Sequence, residues 1–116
     1  MAMYKLARYV VRADARDEAE RAMHELASYV RRELPESSWT TYRDPQAPNH
    51  YVSLIRARDA AAEDRYDNAA GTQAFVAALA PILEGKIEYI ECELVTSSDL
   101  APRHRERPPG ARRRPR

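Results

Sequence analysis

The side chains here that can do chemistry are mostly phenols: seven tyrosines and one tryptophan, against three histidines and one cysteine. Tyr66 stands among charges in AAEDRYDNAAG, just ahead of an apolar run. It reads either as a working hydroxyl or as a helix-surface residue lying over a sheet edge. Trp39, Tyr42, Tyr51 and Tyr89 fall in strand-like stretches. Such residues supply the aromatic walls and hydroxyl donors of a pocket, or serve as plain core and dimer contacts. Arg8 and Arg56 lie inside largely apolar strands, where an unpaired charge is costly. Each either lines a pocket, where it would stabilise an anion, or pairs with a carboxylate such as Glu91 or Glu93.

Other chemistries fit less well. His50 precedes a strand beside a turn, His24 falls on the polar side of a helix, and His104 sits near the C-terminus, so none is well placed as a base. No His, Cys and carboxylate cluster has metal-ligand spacing, and Cys92 has no histidine near it in sequence. With only three glycines there is no GxGxxG or GxxxxGK[ST] loop. The expectation is a site without metal or nucleotide cofactor. A lone thiol in a strand fits a reducing compartment, and no apolar run is long enough for a membrane span or a secretory leader. The chain reads as cytoplasmic.

The elements that must position these residues follow from periodicity. YKLARYVVR has strand composition. Asp14 is placed to cap a helix in which Ala19, Ala22, Met23, Leu26, Val30 and Leu34 recur at helical spacing, with Pro35 ending it. SSWTTYRD and HYVSLIRAR form two strands joined across PQAPN as a hairpin. A helix follows from about Ala60 to Asn68, with a loosening near Gly71 and a second piece carrying Phe75, Val76, Leu79 and Leu83 up to Gly85. KIEYIECELVTS closes the order βαββαβ, with Ile90, Cys92 and Leu94 on one face and Tyr89, Glu91 and Glu93 on the other.

That order is the α+β ferredoxin-like arrangement, an antiparallel four-stranded sheet with two helices on one face. At 116 residues the length fits one domain, which buries only about 60 to 70% of its unfolded surface. A partner would therefore help. In YVSLI, Tyr51 and Ile55 share one face while Val52 and Leu54 share the other, so both faces call for burial. A homodimer closing two sheets face to face, a dimeric α/β barrel, satisfies that.

The domain is expected over 1–98, where 12 Lys and Arg meet 16 Asp and Glu. Residues 99–116 hold seven arginines and four prolines against two acids, with almost no aliphatic side chain. This segment cannot offset its ordering entropy and reads as a disordered tail. Nucleic acid is not expected as a partner beyond weak, non-specific contacts through RRRPR.

TYRDPQAPNHYVSLIRA, GTQAFVAALAPILEG and YIECELVTSS, within about residues 3–98, resemble the antibiotic-biosynthesis monooxygenase family of dimeric α/β-barrel, quinol-monooxygenase-like proteins. The resemblance implies a homodimer with a pocket between helices and sheet in each subunit. It also implies O₂-dependent oxidation of a phenolic, quinol or polyketide-like aromatic substrate with no metal or flavin. Such an enzyme helps remove a phenolic proton and stabilises the anion while O₂ adds. On that basis Tyr66 and Arg56 are the catalytic candidates, with Trp39, Tyr42, Tyr51, Arg8 and Tyr89 binding substrate. Many relatives carry a histidine at the place of Tyr66. A tyrosine there is a hydrogen-bond donor rather than a base near neutrality, and it argues against haem as substrate. The alternative is a non-catalytic dimeric α/β-barrel protein that binds a small aromatic ligand or scaffolds a partner.

Overall fold

The computed structural model describes residues 1–100, so positions 101–116 of the expected tail lie outside the described residues. The elements are β1 Met3–Val10, α1 Arg16–Glu33, β2 Ser37–Asp44, β3 Ala47–Ala57, α2 Ala60–Asn68, α3 Ala70–Leu79 and β4 Glu88–Cys92. The strands form one antiparallel sheet in the order β2-β3-β1-β4. This is the expected ferredoxin-like α+β arrangement, with the second helix in two pieces.

Alternation along the strands divides the sheet into two faces. Ala7, Tyr9 and Val11 from β1 and its extension, with Tyr51, Ser53, Ile55 and Ala57 from β3, are buried beneath the helices. Helix α1 adds Ala19, Met23, Leu26 and Val30 to this core, and α3 adds Phe75 and Leu79. On the other face, Leu54, Leu6 and Ile90 lie side by side across three strands. Val52, Tyr4 and Cys92 flank them, half-buried, while Ile90 is 45% exposed. No element of the described residues covers that face.

Four local readings are corrected. Asp14 does not cap α1: it sits in the single 3₁₀ turn Ala13–Ala15, where it accepts a hydrogen bond from Arg12 Nε at 3.1 Å. Burial of Ala15 docks that turn, and α1 starts after it with no side-chain cap. The break in the second helix falls at Ala69, whose ψ of 146° is extended. Gly71 lies inside α3, where a Cβ would stand 2.4 Å from the Tyr29 ring. Glycine is therefore required there by the close approach of α3 to α1. Helix α3 ends at Leu79, and the turn Ala80–Ile82 leads on to Gly85, whose φ of +83° serves the turn into β4. Strand β4 is shorter than KIEYIECELVTS suggested, because its pairing ends at Tyr4↔Cys92, near the start of β1.

Candidate active site

A cavity of about 180 Å³ lies between the sheet and the α2–α3 segment. Sheet residues come up into it from the buried face: Lys5, Ala7 and Tyr9 from β1, Ser53 and Ile55 from β3, Trp39 from β2 and Tyr89 from β4. Tyr66, Thr72 and Phe75 close it from above. Asp59 starts α2 by accepting a hydrogen bond from the Ala62 amide at 2.9 Å, and this cap fixes the helix that carries Tyr66.

Tyr66 is 5% exposed, and its hydroxyl makes no hydrogen bond to another described residue. Burial raises its pKa well above the ordinary phenol value, so it stays protonated near neutrality. Tyr9 differs. Its hydroxyl lies 2.9 Å from Ser53 Oγ, which donates to Thr41 Oγ1 at 3.0 Å, and Thr41 donates on to the Val52 carbonyl at 3.3 Å. Serine has a single hydroxyl proton, already directed at Thr41, so Tyr9 is the donor to Ser53 and keeps lone pairs free to accept. Burial likewise raises the Tyr9 pKa. The ring walls are mutually packed: Phe75 meets Trp39 edge-on at 5.5 Å and Tyr9 at 6.4 Å.

The cation at this cavity is Lys5. Its side chain is 16% exposed, its ammonium lies 3.7 Å from Asp67 and 4.0 Å from Glu63, and it sits 5.4 Å from the Tyr89 ring centroid. Two acids from α2 thus hold a positive charge at the cavity wall.

The sequence candidates therefore divide. Tyr66, Trp39 and Tyr89 come together at the cavity. Tyr51 is buried on the same sheet face, but its hydroxyl donates to Glu20 Oε2 at 2.7 Å. Glu20 is also held by Arg43 through two hydrogen bonds of 2.8 and 2.9 Å. Burial and the Glu20 carboxylate push the Tyr51 phenol up to about 12. Tyr51 and the exposed Tyr42 belong instead to a separate groove of about 300 Å³ between α1 and β2, to which Trp39 also contributes. Arg8 and Arg56 are exposed on the uncovered sheet face, away from the cavity. Arg8 pairs with Glu88 at 2.9 Å rather than with Glu91 or Glu93. Among the described residues no three His, Cys, Asp or Glu side chains gather as metal ligands, and no helix is long and apolar enough to cross a membrane.

Lys5 and Thr72 escaped the sequence reading, though each carried a signal. Lys5 shares the parity of Ala7, Tyr9 and Val11, which places it on the helix-covered face. Thr72 stands three residues before Phe75 and seven before Leu79, a polar residue on the buried stripe of α3.

The fold and site define an α+β, ferredoxin-like protein with a small aromatic cavity between helices and sheet. Solved structures share this arrangement, and it is the fold of the antibiotic biosynthesis monooxygenases. One structure, named as an antibiotic biosynthesis monooxygenase of Bacteroides thetaiotaomicron, aligns with TM-score 0.77 and 16% identity over 87% of this chain and 96% of that one. A protein of Mycobacterium tuberculosis aligns with TM-score 0.75 and 16% identity over 84% and 99%. SnoaB of Streptomyces nogalater, a cofactor-independent oxygenase, aligns with TM-score 0.72 and 19% identity over 85% and 98%. No protein-family model matches the chain, and no curated protein matches it.

Proposed function

We propose that this chain is a cofactor-independent monooxygenase of the antibiotic-biosynthesis type, acting with O₂ on a small phenol or quinol, with its functional unit in residues 1–98. The observation that supports it best is the cavity that gathers Tyr66, Tyr9, Trp39 and Lys5 between helices and sheet. Similarity to a structure named as a cofactor-independent oxygenase adds support at the level of fold. For a hydroquinone the reaction balances as quinol plus O₂ giving hydroxyquinone plus water. The substrate supplies all four electrons, one oxygen atom enters a ring C–H, and the other leaves as water.

Lys5 is the group suited to stabilise the phenolate formed when the substrate loses its proton, since its charge stands at the cavity wall in a largely desolvated setting. Tyr66 donates to a substrate oxygen and, with its raised pKa, does not act as the base. Among the described residues no histidine lines this cavity, and the phenolic proton leaves to solvent. Arg56 and Arg8, on the uncovered face, have the place of dimer-contact residues. Two copies closing those faces on each other would bury the Leu54, Leu6 and Ile90 row and complete an α/β barrel in the cytoplasm.

The test is O₂ uptake by metal- and flavin-stripped protein across substituted hydroquinones, catechols and anthrones, corrected for autoxidation with heat-denatured protein. Uptake above that control supports the reading. Thermal stabilisation by the same compounds without uptake replaces it with a ligand-binding protein that performs no oxidation.

A further inference from the structure

The polar groups of the cavity are not all accounted for by each other. Tyr9, Ser53 and Thr41 satisfy one another in sequence, and Lys5 has its two acids. Thr72 Oγ1 is fully buried with no hydrogen-bond partner among the described residues, in a side chain belonging to an 8% exposed residue. Tyr66, a 5% exposed residue, lines the same cavity, and its hydroxyl makes no hydrogen bond among the described residues. A buried hydroxyl left unpaired is destabilising, and native proteins rarely keep one without use. Thr72 follows Tyr66 by six residues, which on an unbroken helix would set the two about 120° apart around the axis. The extended residue Ala69 interrupts that helix and re-aims α3, so that both residues line one cavity.

Size narrows the occupant further. A dry cavity of about 150 Å³ takes one benzene ring, whereas pockets for drug-sized ligands start at about 300 Å³. This one is about 180 Å³. We infer that the cavity is a site for a single-ring phenol or dihydroxybenzene whose oxygens are held by the hydroxyls of Tyr66 and Thr72. Aromatic contact comes from Trp39, Phe75 and Tyr89, and a fused three-ring anthrone is larger than this volume. The assignment rests on the proposed function only for what happens after binding, since the hydroxyls and the volume specify the ligand by themselves.

The experiment is calorimetric titration under anaerobic conditions with hydroquinone, benzene and anthrone. It is made on the full chain and on Thr72→Val and Tyr66→Phe, with the melting temperature of each unliganded protein. Hydroquinone binds the wild type, and each variant weakens it by about 5- to 10-fold, the loss of one hydrogen bond. Benzene is held with affinities within about twofold in all three proteins, and anthrone is not bound. Unliganded Thr72→Val melts a few degrees higher than wild type, because valine keeps the shape and removes an unpartnered hydroxyl. A structural threonine would give the opposite shift. The inference is overturned if hydroquinone fails to bind, if its affinity is unchanged in Thr72→Val, or if anthrone binds as well. Hydroquinone binding that depends on Thr72, with no O₂ uptake in air, upholds this inference and removes the monooxygenase reading. O₂ uptake with Thr72-independent binding does the reverse.

Discussion

Gly71→Ala is a substitution whose sign the structure decides against the usual rule. In an exposed helix interior, alanine gains about 1 kcal/mol over glycine. Here the new methyl would stand 2.4 Å from Tyr29 Cγ and Cδ1 and 2.7 Å from Cδ2. These atoms lie at the root of the ring, so no small rotation at its far end relieves the overlap, and α3 must lift from α1. Overpacking of this kind costs about 1–3 kcal/mol. With the helix gain set against it, the net loss is about 1 kcal/mol, a fall in melting temperature of roughly 4–8 °C for a domain of this size. Because Thr72 is the next residue, lifting α3 also loosens the cavity roof, and hydroquinone affinity should fall with stability. The assay is denaturant and thermal unfolding of Gly71→Ala, Tyr29→Ala and the double variant. On the Tyr29→Ala background the added methyl has room, and Gly71→Ala should become neutral or stabilising. If Gly71→Ala is as stable as wild type with Tyr29 present, the close approach of α1 and α3 is not what holds glycine there.

Other outcomes follow from individual groups. Lys5→Met keeps the side-chain length and removes the charge; turnover should fall about 10²-fold, as for loss of one anion-stabilising group, and stability should fall as well, because Glu63, with a side chain only 19% exposed, loses its cation. The pH profile of kcat/KM should show no ionisation of Tyr66 below pH 10, since burial raises its pKa, and an inflection abolished by Tyr66→Phe would contradict that. The hydrogen bonds from Arg43 and then from Tyr51 hold the Glu20 carboxyl below its ordinary value of 4.5, although burial opposes them. Its contribution is therefore present above that value and lost as pH falls through the lower folded-state pKa, so Glu20→Gln should flatten the acid limb of the stability curve below about pH 4.5. Leu54→Arg places a charge in the middle of the apolar row on the uncovered face. Sedimentation is expected to show a dimer for the wild type and a monomer for the variant, and a variant dimer, or a wild-type monomer, would remove the face-to-face barrel.

The sequence carried the fold because its patterns were strong where burial is one-sided. Met23, Leu26 and Val30 marked the inner stripe of α1, and the alternation of Tyr51, Ser53 and Ile55 against Val52 and Leu54 gave both the sheet parity and the second apolar face. Helix ends were less legible. Asp14 has the right chemistry for a cap, but tertiary docking of Ala15 placed a 3₁₀ turn there. The break at Ala69 rests on one alanine with extended backbone, which propensity does not reveal, and Gly71 is explained only by Tyr29, 42 residues earlier. Of the sequence candidates, Tyr66, Trp39 and Tyr89 lie at the cavity, whereas Arg8 and Arg56 lie on the opposite face, Arg8 in an ion pair with Glu88. Register decides that: Arg8 and Arg56 have the parity of Val52 and Leu54, and Lys5 that of Tyr9.

Under the proposed function, the chain inserts one atom of O₂ into a small quinol without a cofactor, and incubating metal- and flavin-free protein with hydroquinone under ¹⁸O₂ and weighing the product decides it. The expected product is hydroxyquinone carrying a single ¹⁸O, formed with one O₂ consumed per molecule and much slower in Tyr66→Phe and Lys5→Met. Plain benzoquinone with hydrogen peroxide, at the rate of the heat-denatured control, would contradict it.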